Sequence, residues 1–92
     1  MTSRSATVVN QLGLHARAAA RFVHLASRYR SQVRVARDTK VMDGKSIMGI
    51  LLLAAARGTT ITISADGTDE QAAVEALADL VLTGFGEATW NA

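Results

Sequence analysis

Residues 59–65, TTITISA, alternate without interruption: Ile61, Ile63 and Ala65 fall on one side of an extended chain, Thr60, Thr62 and Ser64 on the other. A strand so patterned keeps one face in water, and such strands belong to antiparallel sheets covered on a single side. Two other segments extend the sheet. QVRVAR (residues 32–37) sends Val33 and Val35 one way, with Arg34 and Arg37 read as facing largely the other. Asp38-Thr39 then turns it into KVMD (residues 40–43), which predicts a hairpin. SATVVN (residues 5–10) predicts a short β-branched strand, and NQLG breaks it.

The covered face needs helices. Ala16, Ala19, Ala20, Val23 and Ala26 recur at spacings of three and four, which predicts a helix over 16–28 with that stripe buried and Arg17, Arg21, His24 and Arg28 on other faces. Ser46 is the expected N-cap of a second helix over 47–56, stopped at Gly58 by a left-handed glycine. After an Asp66-Gly67 turn, Thr68 and Gln71 are read as a capping box. Ala73, Leu77, Leu80 and Val81 then mark the inner face of a third helix, which ends at Gly84. The tail from 85 to 92, FGEATWNA, has no period and is expected to be frayed, with Phe85 and Trp90 as the side chains able to pack back.

The order β-α-β-β-α-β-α predicts an α+β fold: an open-faced β-sandwich with a four-stranded, mainly antiparallel sheet and three helices on one face. A ferredoxin-like arrangement fits the first six elements as well. Ninety-two residues support one core, so residues 1–92 are read as a single domain, and the absence of cysteine leaves hydrophobic burial to hold it together. The N-terminus lacks a signal-peptide layout, and the longest apolar run, residues 47–56, falls well short of the roughly 18 residues of a membrane span. A cytoplasmic protein without membrane insertion is expected.

Charge is divided along the chain. All ten lysines and arginines lie at or before Arg57, with only Asp38 and Asp43 among them, and the remaining six acids follow. The first half should attract anions: a nucleic acid, an acidic protein partner or a phosphate.

GLHARAAA (residues 13–20) narrows that choice. A helix that begins just after His15 leaves the amides of Ala16, Arg17 and Ala18 without intrahelical acceptors at the positive end of the dipole, an anion site. A phosphoryl group brings negative charge and three acceptor oxygens, matching those amides and the Arg17 guanidinium. A neutral imidazole is a good nucleophile, and the helix end and Arg17 both disfavour its protonated form. Such an exposed dipole interaction, about 0.3–1 kcal/mol, stabilises phosphate without trapping it. His24 has no partner at metal-ligand spacing, and no metal or cofactor is expected.

Gly44-Lys45-Ser46 imitates the end of a P-loop, but Thr39 occupies the place of that motif's first glycine. Ser46 is instead read as a helix cap and as a phosphorylation target. Ile47, Met48, Ile50, Leu51, Leu52 and Leu53 cannot all face one sheet, so Ile50 and Leu53 are expected inside, with Ile47, Met48 and Leu51 forming an external docking patch.

GLHARAAA with GKSIMGILLLAA downstream, on this order of elements, resembles the histidine-containing phosphocarrier protein (HPr) family of the bacterial phosphotransferase system over nearly the whole chain. The resemblance implies a carrier rather than an enzyme. It would take phosphate from phosphorylated Enzyme I, itself charged by phosphoenolpyruvate, and pass it to Enzyme IIA domains in sugar uptake or regulation. It makes His15 the acceptor through Nδ1 and gives Arg17 the task of steadying the phosphate. It also matches Ser46 to the regulatory serine that a dedicated ATP-dependent serine kinase modifies in some members, and Ile47, Met48 and Leu51 to the partner-docking patch; a monomer is expected. One departure stands out: the family usually has proline where this chain has Ala18.

An enzyme is disfavoured because no second catalytic group, metal set or glycine loop stands at recognisable spacing. A small nucleic-acid-binding domain or a regulatory protein-interaction domain using the basic half is the alternative. Tyr29, Trp90, Phe22 and Phe85 all lie outside the predicted strands, so a nucleic-acid face would lack stacking residues.

Overall fold

The computed structural model describes residues 1–87. Its elements run β1 (Thr2–Thr7), α1 (Ala16–Ala26), β2 (Gln32–Arg37), β3 (Lys40–Asp43), α2 (Ile47–Leu52), β4 (Thr60–Asp66) and α3 (Glu70–Leu82), followed by a single 3-10 turn, Gly84–Gly86. The strands form one sheet in the order β1-β4-β2-β3, each neighbouring pair antiparallel. That order gives the open-faced sandwich. In a ferredoxin-like sheet β1 and β3 would be neighbours; here they are the two edges.

The alternation of β4 sets the layering. Ile61, Ile63 and Ala65 are buried, and their neighbours meet hydroxyls on the open face, where Ser3 pairs with Ser64 at 2.8 Å and Thr7 with Thr60 at 3.2 Å. Arg37 departs from its expected side: it shares the parity of Val33 and Val35, and its Nη1 donates to the Leu53 carbonyl at 2.8 Å. β1 begins earlier than expected, because Thr2 to Thr7 pair residue for residue with Ala65 to Thr60 while the chain beyond Val8 bends toward α1.

The inner stripe of α1 is rotated from the alanine pattern. Ala18, Ala19, Phe22, Val23 and Ala26 are buried, whereas Ala16 is exposed and Ala20 half-buried. Burying a phenylalanine is worth about 1.5–3 kcal/mol against about 0.8 for a methyl group, so Phe22 sets the face and the alanines follow. The helix ends at Ala26, where Arg28 and Tyr29 amides shift to the tighter carbonyls of Leu25 and Ala26.

α2 stops at Leu52, short of the expected Ala56. Leu53 and Ala55 are both buried, and residues two apart fall on opposite sides of a helix, so the chain leaves the helix to turn both inward. Ala54 supplies the turn with φ of 51°; Gly58 is left-handed as expected, with φ of 90°, but stands beyond the helix end. Asp69 holds the N-cap position of helix α3 without a side-chain capping bond, and no Thr68–Gln71 box forms. Glu70 accepts from the Gly67 amide at 3.2 Å, and Asp69 reaches away to Arg30 and Ser31. Along α3, Val74 and Ala78 join Ala73, Leu77 and Val81 inside, and Leu80 is half-buried.

The tail is folded as far as Glu87. Gly84, Phe85 and Gly86 take φ of 68°, 59° and 71°, a tight hook that drives the Phe85 ring into the core at 1 % exposure. Arg21 clamps the hook by donating from Nη1 to the Phe85 carbonyl. Trp90 and the rest of the expected frayed segment lie outside the described residues. No helix among the described residues is long and apolar enough to cross a membrane.

Candidate functional site at the start of the first helix

The β1–α1 loop holds His15 in place through its backbone. Gly13, with φ of 66°, donates to Asn10 O at 3.1 Å and accepts from the His15 amide at 2.9 Å, while the Leu14 amide donates to Ala55 O at 3.0 Å. Leu14 is buried and anchors the turn. His15 then stands at the N-cap of α1 in extended geometry, with no side-chain cap and no acid in the first turn. The Ala19 amide takes the His15 carbonyl at 2.8 Å; those of Ala16, Arg17 and Ala18 have no partner among the described residues.

The ring is half-buried and meets a carboxylate: Nε2 of His15 pairs with Oε2 of Glu87. A carboxylate only accepts, so in the neutral ring Nε2 carries the proton and Nδ1 keeps the lone pair. Burial pushes the Glu87 carboxyl up. Hydrogen bonds from Asn10 and His15, with the charge of His15 when its ring is protonated and that of Arg17, outweigh it and hold the group below its ordinary value. Arg17 is exposed at the second helical position, close enough to act on that carboxylate through its field.

The other predicted residues sit on α2. Ser46 is half-buried at the N-cap, and its Oγ accepts from the Gly49 amide at 3.0 Å. Ile47 and Met48 are 41 % and 66 % exposed, and Ile50 and Leu53 are fully inside. Leu51 is half-buried against the core instead of external, and Leu52, 54 % exposed, takes the outer position. Leu12, 71 % exposed on the loop before His15, adds a second apolar side chain.

Asn10 and Glu87 were not singled out from sequence. Asn10 reads as a turn residue, and Glu87 falls in the segment without periodicity. The available signal was Gly84-Phe85-Gly86, an aromatic between two glycines, which marks a tight return to the core better than a loose end. No group of metal-ligating side chains occurs among the described residues.

A family profile described as "PTS HPr component phosphorylation site" matches residues 2–82. The chain belongs to the HPr family. Phosphocarrier protein HPr of Cupriavidus necator is 48 % identical over 87 residues, covering 95 % of this chain and 98 % of that protein. The crystal structure of HPr-C-His from Thermoanaerobacter tengcongensis superposes with a TM-score of 0.91 at 44 % identity, covering 96 % of this chain and 99 % of that one. A crystal structure described as an HPr dimer from the same organism matches at a TM-score of 0.75 and 45 % identity, over 95 % of this chain and 100 % of that one. The fold expected from the strand and helix order is therefore the fold of the family.

Proposed function

We propose that Nδ1 of His15 accepts a phosphoryl group from phosphorylated Enzyme I and returns it to Enzyme IIA domains, in sugar uptake or regulation. One observation carries the reading: a histidine whose Nε2 is already engaged stands at the N-cap of a helix whose first three amides have no partner among the described residues. In the transfer, Nδ1 gives its electron pair to phosphorus while the donor's bond to phosphorus breaks and its pair returns to the donor. The ring keeps the Nε2 proton and gains positive character, which the Glu87 carboxylate faces. The amides of Ala16, Arg17 and Ala18 and the Arg17 guanidinium meet the phosphoryl oxygens. The protein forms this intermediate without turning over a substrate of its own.

Ile47, Met48 and Leu52, with Leu12, supply the apolar contact for partners, and the exposed Arg17 and Arg21 of α1 match acidic surfaces. Ser46 is proposed as a regulatory phosphorylation target for a serine kinase, since charge added there would enter the edge of that contact. One acceptor face presented in turn to two partners makes the monomer the working unit, which sedimentation checks against the dimer described for the Thermoanaerobacter tengcongensis protein.

Incubation with Enzyme I and labelled phosphoenolpyruvate should place acid-labile, alkali-stable label on the protein and none on His15→Ala. Label retained by His15→Ala would overturn the assignment.

A further inference from the structure

Asn10 is 1 % exposed, and its side chain is committed at one end only. Nδ2 donates to Gly13 O at 2.7 Å and to Glu87 Oε1 at 2.9 Å, whereas Oδ1 has no partner among the described residues. An unsatisfied buried amide oxygen costs stability, and the two bonds made by Nδ2 are what offset it. Turning the amide over offers no relief, because Oδ1 would then face a carbonyl and a carboxylate. What Asn10 supplies is a single nitrogen with two hydrogens, one for the loop that carries His15 and one for the carboxylate that holds the ring.

Glu87 completes the chain of contacts. Its two oxygens divide between Asn10 and His15, and its backbone is set by the Gly84–Gly86 hook through a 3.0 Å bond from the Glu87 amide to Gly84 O. The carboxylate is thus fixed from both ends before any phosphate arrives. Gly13 O is likewise shared, taking Asn10 Nδ2 and the His15 amide.

We propose that Asn10 is a positioning residue for phosphoryl transfer, fixing the Glu87 carboxylate so that the proton of His15 stays on Nε2 and Nδ1 is reserved for phosphorus. This rests on the assignment of His15 as acceptor and adds what selects its reacting nitrogen.

The test reads the ring directly. In histidine-15N-labelled, unphosphorylated protein above neutral pH, the two nitrogen resonances of His15 report its tautomer, and exposed His24 gives an internal reference. Wild type is expected to show the Nε2-protonated form more completely at His15 than at His24. Asn10→Ala, Asn10→Ser and Glu87→Ala should each move the His15 resonances toward those of His24. The serine variant keeps a donor for Gly13 O, so it separates loop support from the contact with Glu87 if the alanine variant fails to fold. Transfer from Enzyme I should fall about tenfold in each, the scale of one hydrogen bond to a charged group, with the double variant losing no more than the singles.

His15 resonances unchanged in Asn10→Ser, or multiplying losses in the double variant, would overturn the proposal. Absence of label on wild type would overturn the carrier assignment instead, a result independent of the nitrogen shifts.

Discussion

Gly13 lies against the carbonyl of Ala55 so closely that a Cβ on residue 13 would stand 2.6 Å from that oxygen. The contact lets Leu14 reach Ala55 O with its amide, tying the His15 loop to the segment after α2. Gly13→Ala adds both this clash with backbone and a left-handed alanine. We expect a loss of at least about 2 kcal/mol in urea unfolding, from the strain of that conformation and the displaced carbonyl together. Phosphate acceptance should fall further than stability explains, because the His15 amide also depends on Gly13 O.

Ser46 separates capping from regulation. Ser46→Ala removes the acceptor of the Gly49 amide and should destabilise by about 1 kcal/mol, while Ser46→Asp keeps a capping oxygen and should stay near wild type. Its charge stands beside Ile47 and Met48, so transfer from Enzyme I should slow in Ser46→Asp and not in Ser46→Ala. Equal transfer rates for the two variants at a temperature where both are folded would remove the regulatory role of Ser46.

The apolar residues of α2 divide by burial. Met48→Glu changes a side chain 66 % exposed, so stability should stay within about 0.5 kcal/mol while transfer to and from partners drops. Leu51→Ala opens the half-buried packing beneath α2 and should cost about 1–3 kcal/mol with a smaller effect on transfer per molecule folded. Chemical denaturation and transfer kinetics on the same two variants check both halves.

Much of this was legible from the sequence, and the pattern of what was not is physical. Ile61, Ile63 and Ala65 alternate with hydroxyl residues, a signal with no helical reading, so β4 and the half-covered sheet were plain. The β2–β3 hairpin was equally clear, since the turn residues Asp38-Thr39 separate two β-rich segments. His15 could be placed at a helix start because the run after it is alanine-rich. The buried face of α1 departs from the alanine stripe because alanines are indifferent to burial and Phe22 is not. The end of α2 comes earlier than the pattern predicts because the requirement to bury Leu53 and Ala55 together is tertiary. Asn10 and Glu87 stand 77 residues apart, and local spacing carries no trace of such a meeting.

Acid should weaken the contacts around α3's first turn. The Ser31 hydroxyl, with the Arg30 and Ser31 amides, holds the Asp69 carboxyl at about 2 against an ordinary 3.8. Thr2, the Gly67 amide and the chain's amino terminus hold Glu70 at about 2 against 4.5. Both are lowered in the folded state, so at a pH between 2 and the ordinary values the unfolded chain binds more protons. Their stabilisation is complete above the ordinary values and is lost as pH falls toward about 2. The urea midpoint should therefore decline across that interval, and Asp69→Asn and Glu70→Gln should each flatten the decline; unchanged slopes would count against these contacts.

Ala18 tests how the helix mouth holds phosphate. Its side chain is fully buried and its amide has no partner among the described residues, so the N–H is open to a phosphoryl oxygen on His15. Proline, the family's usual residue here, fixes φ and removes that donor, and a first-turn position tolerates the loss without breaking the helix. Ala18→Pro should still accept phosphate, because the amides of Ala16 and Arg17 and the Nδ1 lone pair are untouched. Its phosphohistidine should hydrolyse about two- to tenfold faster, the scale of one hydrogen bond. Pulse-labelled protein, followed by loss of label at neutral pH in the absence of acceptor, measures this directly. Identical lifetimes would mean that the third amide stays clear of the phosphate and that the first two, with Arg17, hold it alone.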